Sequence, residues 1–193
     1  MRKFLMTLAA VLCCAMTMTV FTACSSDDDN TPKEPEIKGI GAVYFLSVTE
    51  QMSQLCDYTI TYYGVGGKLE TETATWSVNN GVATWEKMVT STIMPATFGI
   101  KVSANVKASA QLEGVKVENI YPITEKMYVE GITTDGKTAW EKNVPFHSGQ
   151  RHGSISGAKL QASLDAMENH GGMVNKCYTY DKDGREITSG SIQ

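Results

Sequence analysis

No Cys-x-x-Cys pair occurs anywhere in this chain, so zinc-knuckle and thioredoxin-like chemistry have no ligands to start from. Basic residues are outnumbered, 17 Lys and Arg against 21 Asp and Glu, which removes the positive groove that nucleic-acid binding requires. Phosphate-binding loops are missing too. Gly64-Val65-Gly66-Gly67-Lys68-Leu69 has neither the Walker spacing nor the third glycine of a dinucleotide fingerprint. Gly153-Ser154-Ile155-Ser156-Gly157 puts isoleucine where a hydrolase elbow needs its serine. Asp181-Lys182-Asp183-Gly184 starts like a calcium loop but lacks the later acids, and reads as a hairpin turn. No cofactor is implied by any motif.

What is present begins at the N-terminus. Arg2 and Lys3 precede the uncharged, apolar-to-small run from Phe4 to Phe21, close to the roughly 18 residues that span a membrane. A transmembrane anchor therefore competes with a cleaved leader. Phe21-Thr22-Ala23-Cys24 has the form of a lipobox, in which the peptidase cuts before the cysteine and the thiol carries lipid. Residues 1–23 are read as a lipoprotein signal peptide, with membrane attachment through acyl chains on Cys24. Ser25-Ser26-Asp27-Asp28-Asp29 resembles the export signal of Bacteroidetes lipoproteins displayed on the outer face of the outer membrane. The lipidated stretch 24–38, with three aspartates, two glutamates and only Ile37 apolar, is expected to be a flexible acidic tether. Cleavage would leave 193 − 23 = 170 residues with a charge balance of 15 − 21 = −6, because Arg2 and Lys3 depart with the leader.

Residues 39–193 read as one β-rich domain. Phe98, Ile100, Val102, Ala104 and Val106 alternate with polar or small residues over 97–107, and Cys56, Tyr58, Ile60 and Tyr62 alternate likewise. Period two marks strands with one buried face. Asn80-Gly81, Asp135-Gly136 and Asp183-Gly184 predict hairpins with type I′ turns. Leu160, Leu164 and Met167 predict one helix over 157–169, capped by Ser156 and ended by Gly171. About ten strands and one helix give an all-β, antiparallel β-sandwich of immunoglobulin-like kind, with a small barrel carrying a packed helix as the alternative.

The lipobox, the acidic tether, the strand Asp57-Tyr58-Thr59-Ile60-Thr61-Tyr62 and the segment Pro95-Ala96-Thr97-Phe98-Gly99-Ile100-Lys101-Val102 together resemble small surface lipoproteins of Bacteroidetes. That resemblance implies a β-rich domain displayed at the outer membrane and supplies no catalytic residues.

Candidate sites each carry a bland alternative. The Asn80-Gly81 register sets Trp76 opposite Trp85 and Val78 opposite Ala83, so the tryptophans form either a sugar-stacking pair or part of the core. The Asp135-Gly136 register sets Trp140 over Gly131 and Glu141 against Glu130, a pair that Lys142 or Lys126 would neutralise more readily than calcium. Cys56 and Cys177 are either a disulfide or two separate thiols. His147, Arg151 and His152 belong to a polar loop ahead of the helix, the best place to seek a binding site. The function expected is non-enzymatic binding of a glycan or protein partner, with envelope or pilus assembly as the alternative. A hydrolase built on Glu130, Glu141 and His152 is the third and weakest reading.

Overall fold

A computed structural model describes residues 35–147 and 151–193; the leader, Cys24 and most of the tether lie outside the described residues. In chain order the elements are β1 (Ile37–Thr49), α1 (Glu50–Leu55), β2 (Cys56–Tyr63), β3 (Leu69–Thr73), β4 (Ser77–Asn79), β5 (Val82–Ser91) and β6 (Ala96–Val106). Then follow β7 (Lys116–Val117), β8 (Thr124–Thr133), β9 (Thr138–Pro145), β10 (Ile155–Ser156), α2 (Leu160–Asn169), β11 (Val174–Tyr180) and β12 (Glu186–Gly190).

Two five-stranded antiparallel sheets form the sandwich, in the orders β4-β5-β1-β8-β9 and β12-β11-β6-β2-β3. Neither closes on itself or joins the other, so the barrel alternative falls: β3 pairs only with β2, and β4 only with β5, among the described residues. An immunoglobulin domain has seven to nine strands; this sandwich has ten in its two main sheets, plus the small β7–β10 ladder.

The core sits where the alternation placed it. Ile40, Ala42, Tyr44, Leu46 and Val48 of β1 face Tyr58, Ile60 and Tyr62 of β2 and Phe98, Ile100 and Val102 of β6, all at most 1 % exposed. Burial of each large side chain contributes about 1.5–3 kcal/mol. The Tyr44 hydroxyl joins the sheets, donating to the Tyr63 carbonyl at 2.9 Å and accepting from the Gly99 amide at 3.1 Å. A buried phenol normally finds such partners.

Local chemistry departs from expectation in three places. Only Asn80-Gly81 is a type I′ turn, with φ of 49° and 76°. In the Asp135-Gly136 and Asp183-Gly184 hairpins only the glycine has positive φ, and the amides of Thr133 and Asp181 bond to the carbonyls of Lys137 and Arg185. The loop is thus one residue longer, and a bulge further along restores the register, between Gly131 and Ile132 in one hairpin and Thr179 and Tyr180 in the other. Because the two shifts cancel, Trp140 still faces Gly131 and Glu141 still faces Glu130.

The second departure concerns Ser156, which makes no capping bond. A 3₁₀ turn over Gly157–Lys159 intervenes, so the serine stands one turn short of α2, which is capped by Lys159 without a side-chain bond. The apolar face is as predicted, with Leu160 and Leu164 buried, and Gly171 ends the helix at φ 99°. The third is α1, six residues started by Thr49, whose Oγ1 accepts from the Met52 amide at 3.2 Å. Six residues are too few to show a helical period, and methionine stands where a capping box would have Glu or Gln.

For the cysteines, where a disulfide and two separate thiols both stood open, the strand register decides for separate thiols. Cys56 pairs across from Val106 and Cys177 from Gly99, so 106 − 99 = 7 residues of β6 separate them. At about 3.3 Å per residue that is roughly 23 Å, far beyond the about 7 Å limit for bridging. Both are free thiols, and burial pushes Cys56 up to about 11. A protein starting after Cys24 should therefore release two thiols on unfolding, and its melting temperature should not change on adding reductant.

Candidate functional site

At one end of the first sheet, the start of β8, the end of β9 and the loops around 119–122 and 151–152 line a half-open cavity of about 220 Å³. Two loops build its wall. Asn119, 7 % exposed, donates from Nδ2 to the Tyr121 carbonyl at 3.1 Å, while its Oδ1 accepts from the Tyr121 amide at 3.2 Å and the Gly153 amide at 3.4 Å. The Ile120 amide also bonds to the Gly153 carbonyl. A Cβ on Gly153 would stand 2.9 Å from the Tyr121 ring, so glycine permits this approach.

An ion pair lies in that wall. Arg151 Nη2 donates to Glu125 Oε1 at 2.7 Å and to the Met173 carbonyl at 3.1 Å, and the guanidinium stacks 5.0 Å from the Tyr121 ring centroid. The side chains are 26 % and 10 % exposed. Burial raises the Glu125 carboxyl above its ordinary range, while the Arg151 bond and charge and the nearby His147 pull it back. Glu125 Oε2 and Arg151 Nε, both enclosed, have no hydrogen-bond partner. Exposed His147 and His152 stand at the rim, and Pro122, Ile123 and Pro145 add apolar surface.

Three of the residues singled out in the sequence thus converge: His147, Arg151 and His152 line one cavity. The loop reading missed Glu125, Asn119 and Tyr121, which lie 26 to 32 residues before Arg151 and carry no local motif. It also placed Arg151 in a polar loop without the acid, Glu125, to which its charge is anchored.

The tryptophans are not brought together as a platform. The β4–β5 ladder begins at Ser77 opposite Thr84, one pair short of Trp76. Trp76 packs edge-on against Tyr58 at 5.1 Å, and Trp85, 3 % exposed, packs against Tyr62 at 5.8 Å. Trp85 Nε1 donates to Glu72 Oε1 at 2.9 Å, and Lys87 donates to the other Glu72 oxygen at 2.6 Å. This is core with a polar margin. Val78, read as a core position, is 49 % exposed beside the hairpin tip.

Glu130, Glu141 and His152 do not meet either. Glu130 is five residues along β8 from Glu125, or roughly 16 Å from the cavity at strand spacing. The expected lysine neutralisation fails as well. Lys126 Nζ stands 4.9 Å from the Tyr128 ring centroid and 5.8 Å from that of Phe45, and Lys142 Nζ is 5.9 Å from that of Tyr180. Glu130, 2 % exposed, accepts from Thr138 at 2.7 Å through one oxygen and leaves the other unpartnered.

Burial, and then Glu141, raise the Glu130 carboxyl. The folded state therefore binds this proton more tightly than the unfolded chain, and stability falls as pH rises from the ordinary carboxylate range through the raised value. Glu130→Gln should flatten that fall and stabilise the protein at pH 7 by about 1 kcal/mol or more, read from urea unfolding at pH 4.5 and 7.

Comparison with known protein families, characterised proteins and solved structures finds no match to this chain.

Proposed function

We propose that this protein is a lipid-anchored binding module of the outer-membrane surface, held by acyl chains on Cys24, that receives a glycan or protein partner without transforming it. The observation carrying this reading is the cavity beside the Glu125–Arg151 pair. A convergent set of basic and polar side chains stands there on loops braced by a rigid sheet, the usual setting for a binding site. The lipobox and the acidic tether support the address.

Two measurements test it. Cys24→Ala should move the protein from the membrane to the soluble fraction, and protease applied to intact cells should remove the domain of the parent protein. Retention of the variant in the membrane would reject the lipid anchor. On an array of glycans and envelope proteins, the full chain in detergent should give saturable binding that weakens at least fivefold in His147→Ala, whose side chain is exposed. Binding unchanged in that variant would move the site elsewhere.

A second reading, assembly into an envelope or pilus structure, draws on β12. All five residues of this edge strand are exposed, without proline or lysine to guard it, and Ile187 is 56 % exposed. Cross-links recovered on cells from β12 and lost in Ile187→Pro would favour it.

A further inference from the structure

We infer that the outer face of the first sheet is a surface on which two copies of this chain pair, about a two-fold axis running along β1. The side of a sandwich sheet that looks away from the core is ordinarily polar. Ile40, Ala42, Tyr44 and Leu46 of β1 point into the core, so Val43 and Phe45 between them point outward. Val43 and Ile132, 6 % and 1 % exposed, form a cluster separate from the main core, with half-buried Phe45 and Met88 packed against it. Phe45 also meets the Tyr128 ring edge-on, with centroids 5.5 Å apart.

Strand register makes this face self-complementary. Across β5, β1 and β8, one row reads Glu86, Phe45, Lys126 and the next reads Met88, Val43, Tyr128. A two-fold axis along β1 lays a second sheet over the first with left and right exchanged and the rows kept in step. Phe45 and Val43 then meet their own copies, and Met88 meets Tyr128 of the second copy. Glu86 meets Lys126 of the second copy, and symmetry repeats that contact. Both charges stand on this face. Glu86 is exposed, and Lys126 Nζ lies over the Phe45 and Tyr128 rings, bonded to the Tyr128 hydroxyl at 3.1 Å. Neither joins an ion pair of its own chain among the described residues.

The place where the tether enters is the second support, and it rests on the proposed lipid anchor. Ile37 starts β1 opposite Thr133, while Glu125 of the cavity lies opposite Leu46, 46 − 37 = 9 residues or about 30 Å further along. An axis along β1 keeps both tethers at one end, where both Cys24 lipids reach one membrane, and both cavities at the other. An axis across the strands would send the two tethers to opposite ends. Size sets the strength. Four strands about 4.8 Å apart and six residues of about 3.3 Å give a patch of roughly 19 by 20 Å, on the order of 800 Å² over both copies. That lies below the usual range of stable interfaces. The pair is therefore weak in dilute solution and favoured by confinement to a membrane.

The test places the full lipidated chain, with a donor or an acceptor dye at its carboxyl end, in phosphatidylcholine vesicles at fixed surface density. Energy transfer between copies should exceed that of randomly placed chains at least threefold. Glu86→Lys and Lys126→Glu each set like charges together twice, and each should remove most of that excess. Combining them should restore it to within twofold. Carbodiimide should also join Glu86 of one parent copy to Lys126 of another. Transfer at the random level in the parent would overturn the pair and leave the face to the bilayer or to the chain's own tether. Excess transfer that survives both single reversals, or that the double one does not restore, would overturn this axis. The same dyes in concentrated detergent solution report pairing without need of the lipid, so a wrong anchor and a wrong dimer give different results. Array binding by a chain that stays monomeric would overturn the dimer and leave the binding role standing.

Discussion

Gly99→Val is expected to leave little folded protein. A Cβ at Gly99 would stand 2.4 Å from the Cys177 Cβ, 2.4 Å from the Lys176 carbonyl oxygen and 2.5 Å from the Cys177 Cα. All three belong to β11, and none can swing aside, because two are backbone and the third is the first side-chain atom. The strands must separate, and the Tyr44 hydroxyl then loses the Gly99 amide it accepts from. Overpacking of this kind together with a broken buried bond is expected to cost on the order of 3–5 kcal/mol, a large share of the 5–15 kcal/mol that holds a domain together. Urea unfolding at neutral pH measures it. Asn105→Thr, on the exposed face of the same strand, should change the midpoint by no more than about 0.5 kcal/mol.

Arg151→Met should have the next largest effect, on stability and binding at once. It strands the Glu125 carboxylate, whose side chain is 10 % exposed, with no cation beside it. Removing one partner of such a pair is expected to cost about 3–5 kcal/mol. The loss has a pH signature. Without the arginine that pulls it down, the Glu125 carboxyl rises further, so the variant should lose stability more steeply than the parent as pH climbs above the ordinary carboxylate range. Adding Glu125→Gln to Arg151→Met should recover much of the stability without restoring ligand. A double variant no more stable than Arg151→Met alone would mean that packing of the guanidinium on Tyr121, and its bond to Met173, carry the effect instead.

These two positions mark where reading the sequence stops. The alternation over 97–107 assigns Gly99 to the polar face of a strand, and nothing in that pattern announces how closely β11 approaches. Arg151 likewise reads as part of a polar loop, because its acid lies 26 residues away in the sequence. Ion pairs between elements leave no periodic trace, and the packing of strands remote in sequence leaves none either.

By itself the sequence determined what depends on near neighbours. Period-two alternation gave β2 and β6 their buried faces. Asn80-Gly81 determined its hairpin outright, since both residues adopt the positive φ that a type I′ turn demands. It also gave the pairing of Trp140 with Gly131, though through a longer loop and a compensating bulge that local reading could not see. The leader and Cys24 are sequence readings alone. The tertiary structure decided which of several chemically equal possibilities is realised. It set Cys56 and Cys177 at different positions along β6, turned Trp85 into the core, kept Glu130 far from His152, and carried Glu125 to Arg151. Each of these depends on which strands lie side by side, a choice settled by burying both sheets' apolar faces together and invisible in any short stretch of chain.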